Sequence, residues 1–206
     1  MILSCQNIKK QFGETTIINR CSFYIEDYEK AALVGINGAG KTTLLRIIVG
    51  EMSADEGTVV LSRGKTLGYL PQLVSFDSEN SIYDELLSVR QDLIILEQQI
   101  REAEHNMKQV NGEELDKLME LYASLTHRFE TENGYAYKSE LTGVLKGLGF
   151  TEEDFSKKIT TLSGGQKTRV ALGKMLLLKP DLILLDEPTN HLDMSSITWL
   201  ETYLTN

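Results

Sequence analysis

The 206-residue sequence, 41% hydrophobic and 25% charged, has the make-up of a soluble globular chain holding one domain with an excursion, or one and a half domains. Its net charge of −9 argues against a broadly basic nucleic-acid surface or a polybasic membrane anchor and leaves room only for a local basic patch. No apolar run reaches the length of a membrane span and the N-terminus lacks the layout of a signal peptide, so a cytoplasmic location is expected.

Residues 2–8 and 16–25 read as strands joined by a turn at Gly13-Glu14, the second alternating Cys21, Phe23 and Ile25 with Ser22, Tyr24 and Glu26. Cys5 and Cys21 fall within these strands and read as reduced core residues. Phe12 precedes the turn; it is open to two readings, stacking on a ligand ring or packing in the core.

The apolar run 31–34 (AALV) predicts a buried strand leading into GINGAGKT, with Gly35, Gly40, Lys41 and Thr42 at the spacing G-x-x-x-x-G-K-[ST]. Glycines at 35, 38 and 40 let the backbone bend so that successive N–H groups converge on one anion. Lys41 adds a point charge and Thr42 a hydroxyl for Mg²⁺. Residues 43–49 predict a helix closed by Gly50, its N-terminus favouring phosphate; a chance glycine loop is the competing explanation. Residues 57–61 and 65–70 predict two further strands, the latter stopped by Pro71. Gln72, taken alone, is a loop glutamine.

From Leu86 the apolar or small residues Val89, Leu93, Leu96, Ile100, Ala103, Met107 and Val110 keep a three-and-four spacing, resumed from Leu115 to Phe129 after Asn111-Gly112. This predicts a helical hairpin entered through a capping box at Ser81 and Asp84. Residues 84–133 hold twelve acidic and five basic side chains, −7 of the whole charge. The segment is either a solvated packing hairpin or a projecting arm, and its narrow seam favours the arm.

A helix over about 136–148 and a capped turn at 151–155 lead to LSGGQ, where Ser163 and Gln166 suit a capping box and Gly164-Gly165 admit a ligand to the backbone. The next helix stops before Pro180. Residues 182–185 (LILL) predict a strand of a parallel sheet, ending in Asp186 and Glu187. In open α/β sheets ligands collect at such strand ends, so Asp186 can meet a metal held by Thr42 and Glu187 a water. His191 reads as a loop contact, since no Cys/His cluster surrounds it.

With these motifs in order, nearly the whole chain resembles the nucleotide-binding domain of the ATP-binding cassette (ABC) family. GINGAGKT looks like its Walker A loop, Gln72 in YLPQ its Q-loop, LSGGQ its signature, LILLDE its Walker B strand and HLD the loop after it. EPTNHLD and the helical insert resemble the ABC-F class, soluble proteins with two cassettes that act on ribosomes in translation or antibiotic resistance.

The resemblance implies an α/β P-loop NTPase cassette with a mainly parallel core sheet, an antiparallel β subdomain and a helical subdomain with a hairpin insert. Residues 1–83 are expected to hold the first part of the core, 84–160 the helical subdomain with its arm at 86–133, and 161–206 the signature helix, the Walker B strand and a following helix. The family's switch histidine and second cassette do not appear, so an N-terminal fragment is expected.

ATP and Mg²⁺ are the implied ligands. ATP would contact Phe12, Gly35, Asn37, Gly38, Ala39, Gly40, Lys41, Thr42 and Thr43, and Mg²⁺ would contact Thr42, Gln72 and Asp186. Glu187, Lys41 and Gln72 would be catalytic, while Ser163, Gly164, Gly165 and Gln166 would serve a nucleotide on the opposite cassette. The expected activity is ATP hydrolysis, weak in an isolated cassette. The expected partners are a second cassette and the ribosome. The alternatives are the ATPase subunit of a membrane transporter and, more remotely, a DNA-repair or chromosome-structuring ATPase.

Overall fold

A computed structural model describes residues 1–205, which divide into two compact units. The first comprises Met1–Val74 and Lys179–Asn190, the second Ser75–Leu178 and the chain from His191 on.

In the first unit, β1 (Leu3–Phe12) is the centre of a three-stranded antiparallel sheet between β2 (Thr15–Ile25) and β3 (Glu56–Leu61). β1 is not regular: the register with both neighbours shifts around Asn7, which has φ 50°. The two core residues flanking this bulge, Cys5 and Ile8, are three apart rather than the two or four that pleat alternation demands. The Asn7 N–H donates to Ser22 Oγ at 2.8 Å. Across the bulge, Gly57 has φ 94°, and a Cβ there would lie 2.4 Å from the Gln6 carbonyl oxygen, so no other residue fits.

α1 (Lys41–Ile48) packs Leu44, Leu45 and Ile47 into a core with Leu3, Cys5, Ile8 and Ile18 of this sheet and Leu182 and Leu184 of β5 (Leu182–Leu185). β5 pairs in parallel with β4 (Leu67–Leu70), from Leu67 opposite Leu182 to Leu70 opposite Leu185. At the entry of this pair, the Asp181 carboxylate accepts from Thr66 N–H (2.9 Å), Thr66 Oγ1 (2.8 Å) and Lys65 Nζ (3.0 Å). At its exit, Asp186 N–H donates to the Leu70 carbonyl at 3.0 Å.

The predicted strand at 31–34 is not formed. Leu33 is half-exposed and Val34 and Ile36 are largely exposed; the segment has no ladder partner among the described residues, and without one an apolar run stays irregular.

The second unit is helical: α2 (Ile82–Leu87), α3 (Gln91–Met107), α4 (Glu113–Thr131), α5 (Gly134–Gly147), α6 (Gly164–Leu178) and α7 (Met194–Tyr203). Ser81 caps α2, accepting from Asp84 N–H at 3.1 Å. α3 and α4 form the expected hairpin, turned at Gly112 (φ 68°), and only Leu93, Leu96, Ala103 and Phe129 of their residues are buried. The seam does not run unbroken from Leu86. A 3₁₀ turn at Ser88–Arg90 intervenes, where Arg90 leaves helical geometry to pair with Asp92 (2.8 Å) and Glu132 (2.9 Å). The body of the unit is built on Ile82, Leu86, Leu141, Leu145, Leu148, Ile159, Leu172 and Leu176, all nearly inaccessible to solvent. Among the described residues no helix is long and apolar enough to cross a membrane.

Candidate functional site

The phosphate-loop residues line an open groove of about 370 Å³ in the first unit. Phe12 and Ile17 bound it together with Asn37, Gly38, Gly40, Lys41, Thr42, Thr43, Gln72 and Glu187. The loop's shape follows from its small residues. Ala39 N–H donates to the Ile36 carbonyl (3.1 Å), and Gly40 has φ 93° with Ile17 Cγ2 2.6 Å from where a Cβ would stand. Gly35 and Ala39 form the loop without lining the groove. Gly40, at the N-cap of α1, supplies no side-chain cap, so the first-turn N–H groups are left for an external acceptor and favour an anion.

Lys41 Nζ donates to the carbonyls of Gly35 (2.9 Å) and Ile36 (3.2 Å) and lies 4.0 Å from Glu187 Oε1. Glu187 is the meeting point of the site. Its Oε2 accepts from Gln72 Nε2 at 3.3 Å and from Asn190 Nδ2 at 2.9 Å, and its backbone has φ 52°. That unusual conformation occurs directly after β5, where the chain enters the 3₁₀ turn Pro188–His191. Asn190, in that turn, has no part in the expected site: as a polar residue in a polar loop it carries no sequence signal, and only the turn brings it to Glu187.

Asp186 is buried, 4% exposed, and its Oδ2 has no hydrogen-bond partner among the described residues. A buried carboxylate oxygen without a donor is costly unless a cation or water meets it. An oxygen of this kind suits a hard cation such as Mg²⁺, so the chemistry of Asp186 fits that ion, although Asp186 is not among the residues lining the groove, where Thr42 stands. Phe12 is 49% exposed, with Lys10 Nζ 5.6 Å from its ring centroid, and so is not a core residue.

The signature residues stand in the second unit, at the start of α6, and none lines the groove. Ser163 and Gln166 make the expected capping box: Ser163 N–H donates to Gln166 Oε1 (3.0 Å) and Gln166 N–H to Ser163 Oγ (3.3 Å). The two glycines differ. Around Gly164 a Cβ would meet open space, whereas one on Gly165 would lie 3.4 Å from His191 Nδ1. His191 is therefore a loop contact, as expected.

Residues 18–190 match the family model described as ABC transporter. The chain is 45% identical, over 99% of its length, to the Bacillus subtilis protein described as "Putative ATP-binding protein YdiF", of which it covers 32%. It is 35% identical over 98% of its length to the tylosin resistance ATP-binding protein TlrC of Streptomyces fradiae, covering 37% of that protein. It is 33% identical over 97% to ABC transporter F family member 5 of Arabidopsis thaliana, covering 29%. The chain thus spans about a third of the length of these curated relatives. Among solved structures it is similar to the ATP-binding subunit of an ABC transporter, with a TM-score of 0.67 at 20% identity, covering 99% of this chain and 73% of that one. At that identity the likeness is one of fold.

Proposed function

Since the chain belongs to the ATP-binding cassette family, as a P-loop cassette of the ABC-F type, we propose that it binds ATP with Mg²⁺ and hydrolyses the terminal phosphate as part of a longer protein acting on the ribosome. One observation carries the catalytic reading: Lys41, Gln72 and Asn190 converge on Glu187 at a groove walled by the phosphate loop.

Phosphoryl transfer to water asks the protein for charge neutralisation and an aligned nucleophile, and little else. The N–H groups of residues 37–43 and Lys41 hold the β- and γ-phosphates. Glu187 polarises the attacking water, its carboxylate aimed by Gln72 and Asn190. Thr42, Asp186 and Gln72 would hold Mg²⁺, which would supply neutralising charge to the phosphate oxygens. Phe12, half-exposed at the groove, stacks on the adenine. Ser163, Gly164, Gly165 and Gln166 serve a nucleotide on a second cassette, a role supported by the open approach at Gly164.

The ribosomal role is supported by the F-family relative, by the resistance protein TlrC and by the α3–α4 arm. The family model's description, ABC transporter, favours a second reading as a transporter's ATPase subunit. Glu187→Gln in the full-length protein tests both. ATP binding is expected to persist while turnover falls by about two orders of magnitude or more, as when one positioned catalytic group is lost. With ATP the variant is expected to co-sediment with ribosomes. Near-wild-type turnover excludes Glu187 as the base, and ATP-dependent recovery with membranes instead selects the transporter reading.

A further inference from the structure

The second unit buries one carboxylate that the reaction does not use. Glu85, on α2, is only 6% exposed. Its Oε2 accepts from Ser78 Oγ (2.7 Å) and Asn80 Nδ2 (3.1 Å), and its Oε1 accepts from Lys174 Nζ of α6. Lys174 Nζ also lies 5.6 Å from the ring centroid of Phe76. Burial alone would raise the carboxyl's pKa, but the bonds from Lys174, Ser78 and Asn80 outweigh it and hold the group ionised below its ordinary value.

The same short segment is stitched to the residues before the signature turn. Ile159 N–H donates to the Asn80 carbonyl (3.0 Å), Ile82 N–H to the Lys157 carbonyl (3.0 Å), and Ser81 bridges to Lys158. A buried ion pair is on average no more stabilising than apolar residues of the same shape, so the fold alone gives no reason for a charge here. What it does give is one geometry: three donors from two separate pieces of chain satisfied by one carboxylate. Phe76 stands four residues after Gln72 in the sequence, and Lys174 stands on the helix that opens at the signature.

We propose that Glu85 is a positioning residue that clasps residues 76–82 to the signature helix, so that the segment leaving Gln72 and the turn bearing Ser163 move as one body. This rests on the ATPase reading above. A loose clasp would leave nucleotide binding in the groove intact and impair only the step that needs the signature turn in place.

The test compares Glu85→Gln, Lys174→Met and Lys174→Arg in the full-length protein. ATP affinity, KM, kcat and melting temperature are measured, along with amide hydrogen exchange at 76–82 and 163–178 with and without ATP. Glu85→Gln and Lys174→Met are expected to keep affinity and KM within about twofold and to lose about tenfold in kcat, within the range of coupled sites. Lys174→Arg should restore most of it. In the wild type, ATP should change exchange in both segments together; in the two disrupted variants the change at 163–178 should be lost. Unchanged kcat, or kcat falling in step with ATP affinity, overturns the proposal. If Glu85→Gln fails to fold, the Lys174 pair carries the test. A wild type that binds but does not hydrolyse ATP sinks the ATPase reading, and the exchange result then judges the clasp alone.

Discussion

Lys41 illustrates how much one side chain must do. Its ammonium bridges the loop carbonyls of Gly35 and Ile36 and stands 4.0 Å from Glu187, so it both shapes the loop and offsets a carboxylate that would otherwise repel phosphate. Removing it as Lys41→Ala leaves that negative charge facing the ligand. ATP affinity measured by calorimetry is expected to fall by about 100-fold or more, near 3 kcal/mol. Unchanged affinity would remove the loop's assignment. Lys41 and Thr42 could be picked out because their spacing repeats a chemical requirement, and Asp186 and Glu187 because they end an apolar strand of a parallel sheet. Asn190 could not, because its contribution is a 2.9 Å contact set by a turn, and a polar residue in a polar loop carries no pattern. Phe12 needed coordinates too: only its exposure separates a ring open to a ligand from one in the core.

At the scale of elements, periodicity located most strands and helices because burial on one face imposes it. It misled where burial and ladder pairing part company. Residues 31–34 are as apolar as 182–185, yet only the latter have a partner strand. The heptad spacing ran through Val89 for a similar reason: what breaks the helix there is Arg90 reaching Glu132, a partner distant in sequence.

The parallel pair β4–β5 is fastened by Asp181, whose pKa is brought down to about 2 by the Thr66 N–H, the Thr66 hydroxyl and Lys65, from an ordinary 3.8. Since the folded value is the lower one, this carboxylate stabilises the fold above about pH 4, and the contribution fades as pH falls from 3.8 through 2. Asp181→Asn should therefore lower the urea midpoint at pH 6 and converge on the wild type near pH 2. A gap that is the same at both ends would show that the charge is not what fastens the strands.

For the molecule as a whole, the charge distribution is the clearest guide. The segment 84–133 carries most of the net negative charge, which is at odds with direct contact along phosphate-rich RNA; under the proposed ribosomal role, contact at a tip or through protein is expected instead. Deleting residues 91–133 from the full-length Glu187→Gln protein is expected to abolish ATP-dependent co-sedimentation with ribosomes while ATP binding survives. Retained co-sedimentation would reduce the arm to packing. The 206-residue chain alone is expected to bind ATP yet turn it over slowly at low concentration, and rapid steady-state hydrolysis there would contradict the need for a second cassette.

The irregularity at Asn7 also governs where this sheet can change over evolutionary time. The loss of a single residue between Cys5 and Ile8 would leave them two apart, as in a plain zigzag, and would erase the bulge to which the left-handed backbone of Gly57 and the Ser22 hydroxyl are fitted. The Gly13-Glu14 tip has no such fit to protect. Insertions and deletions among descendants should gather at the tip and spare the strand.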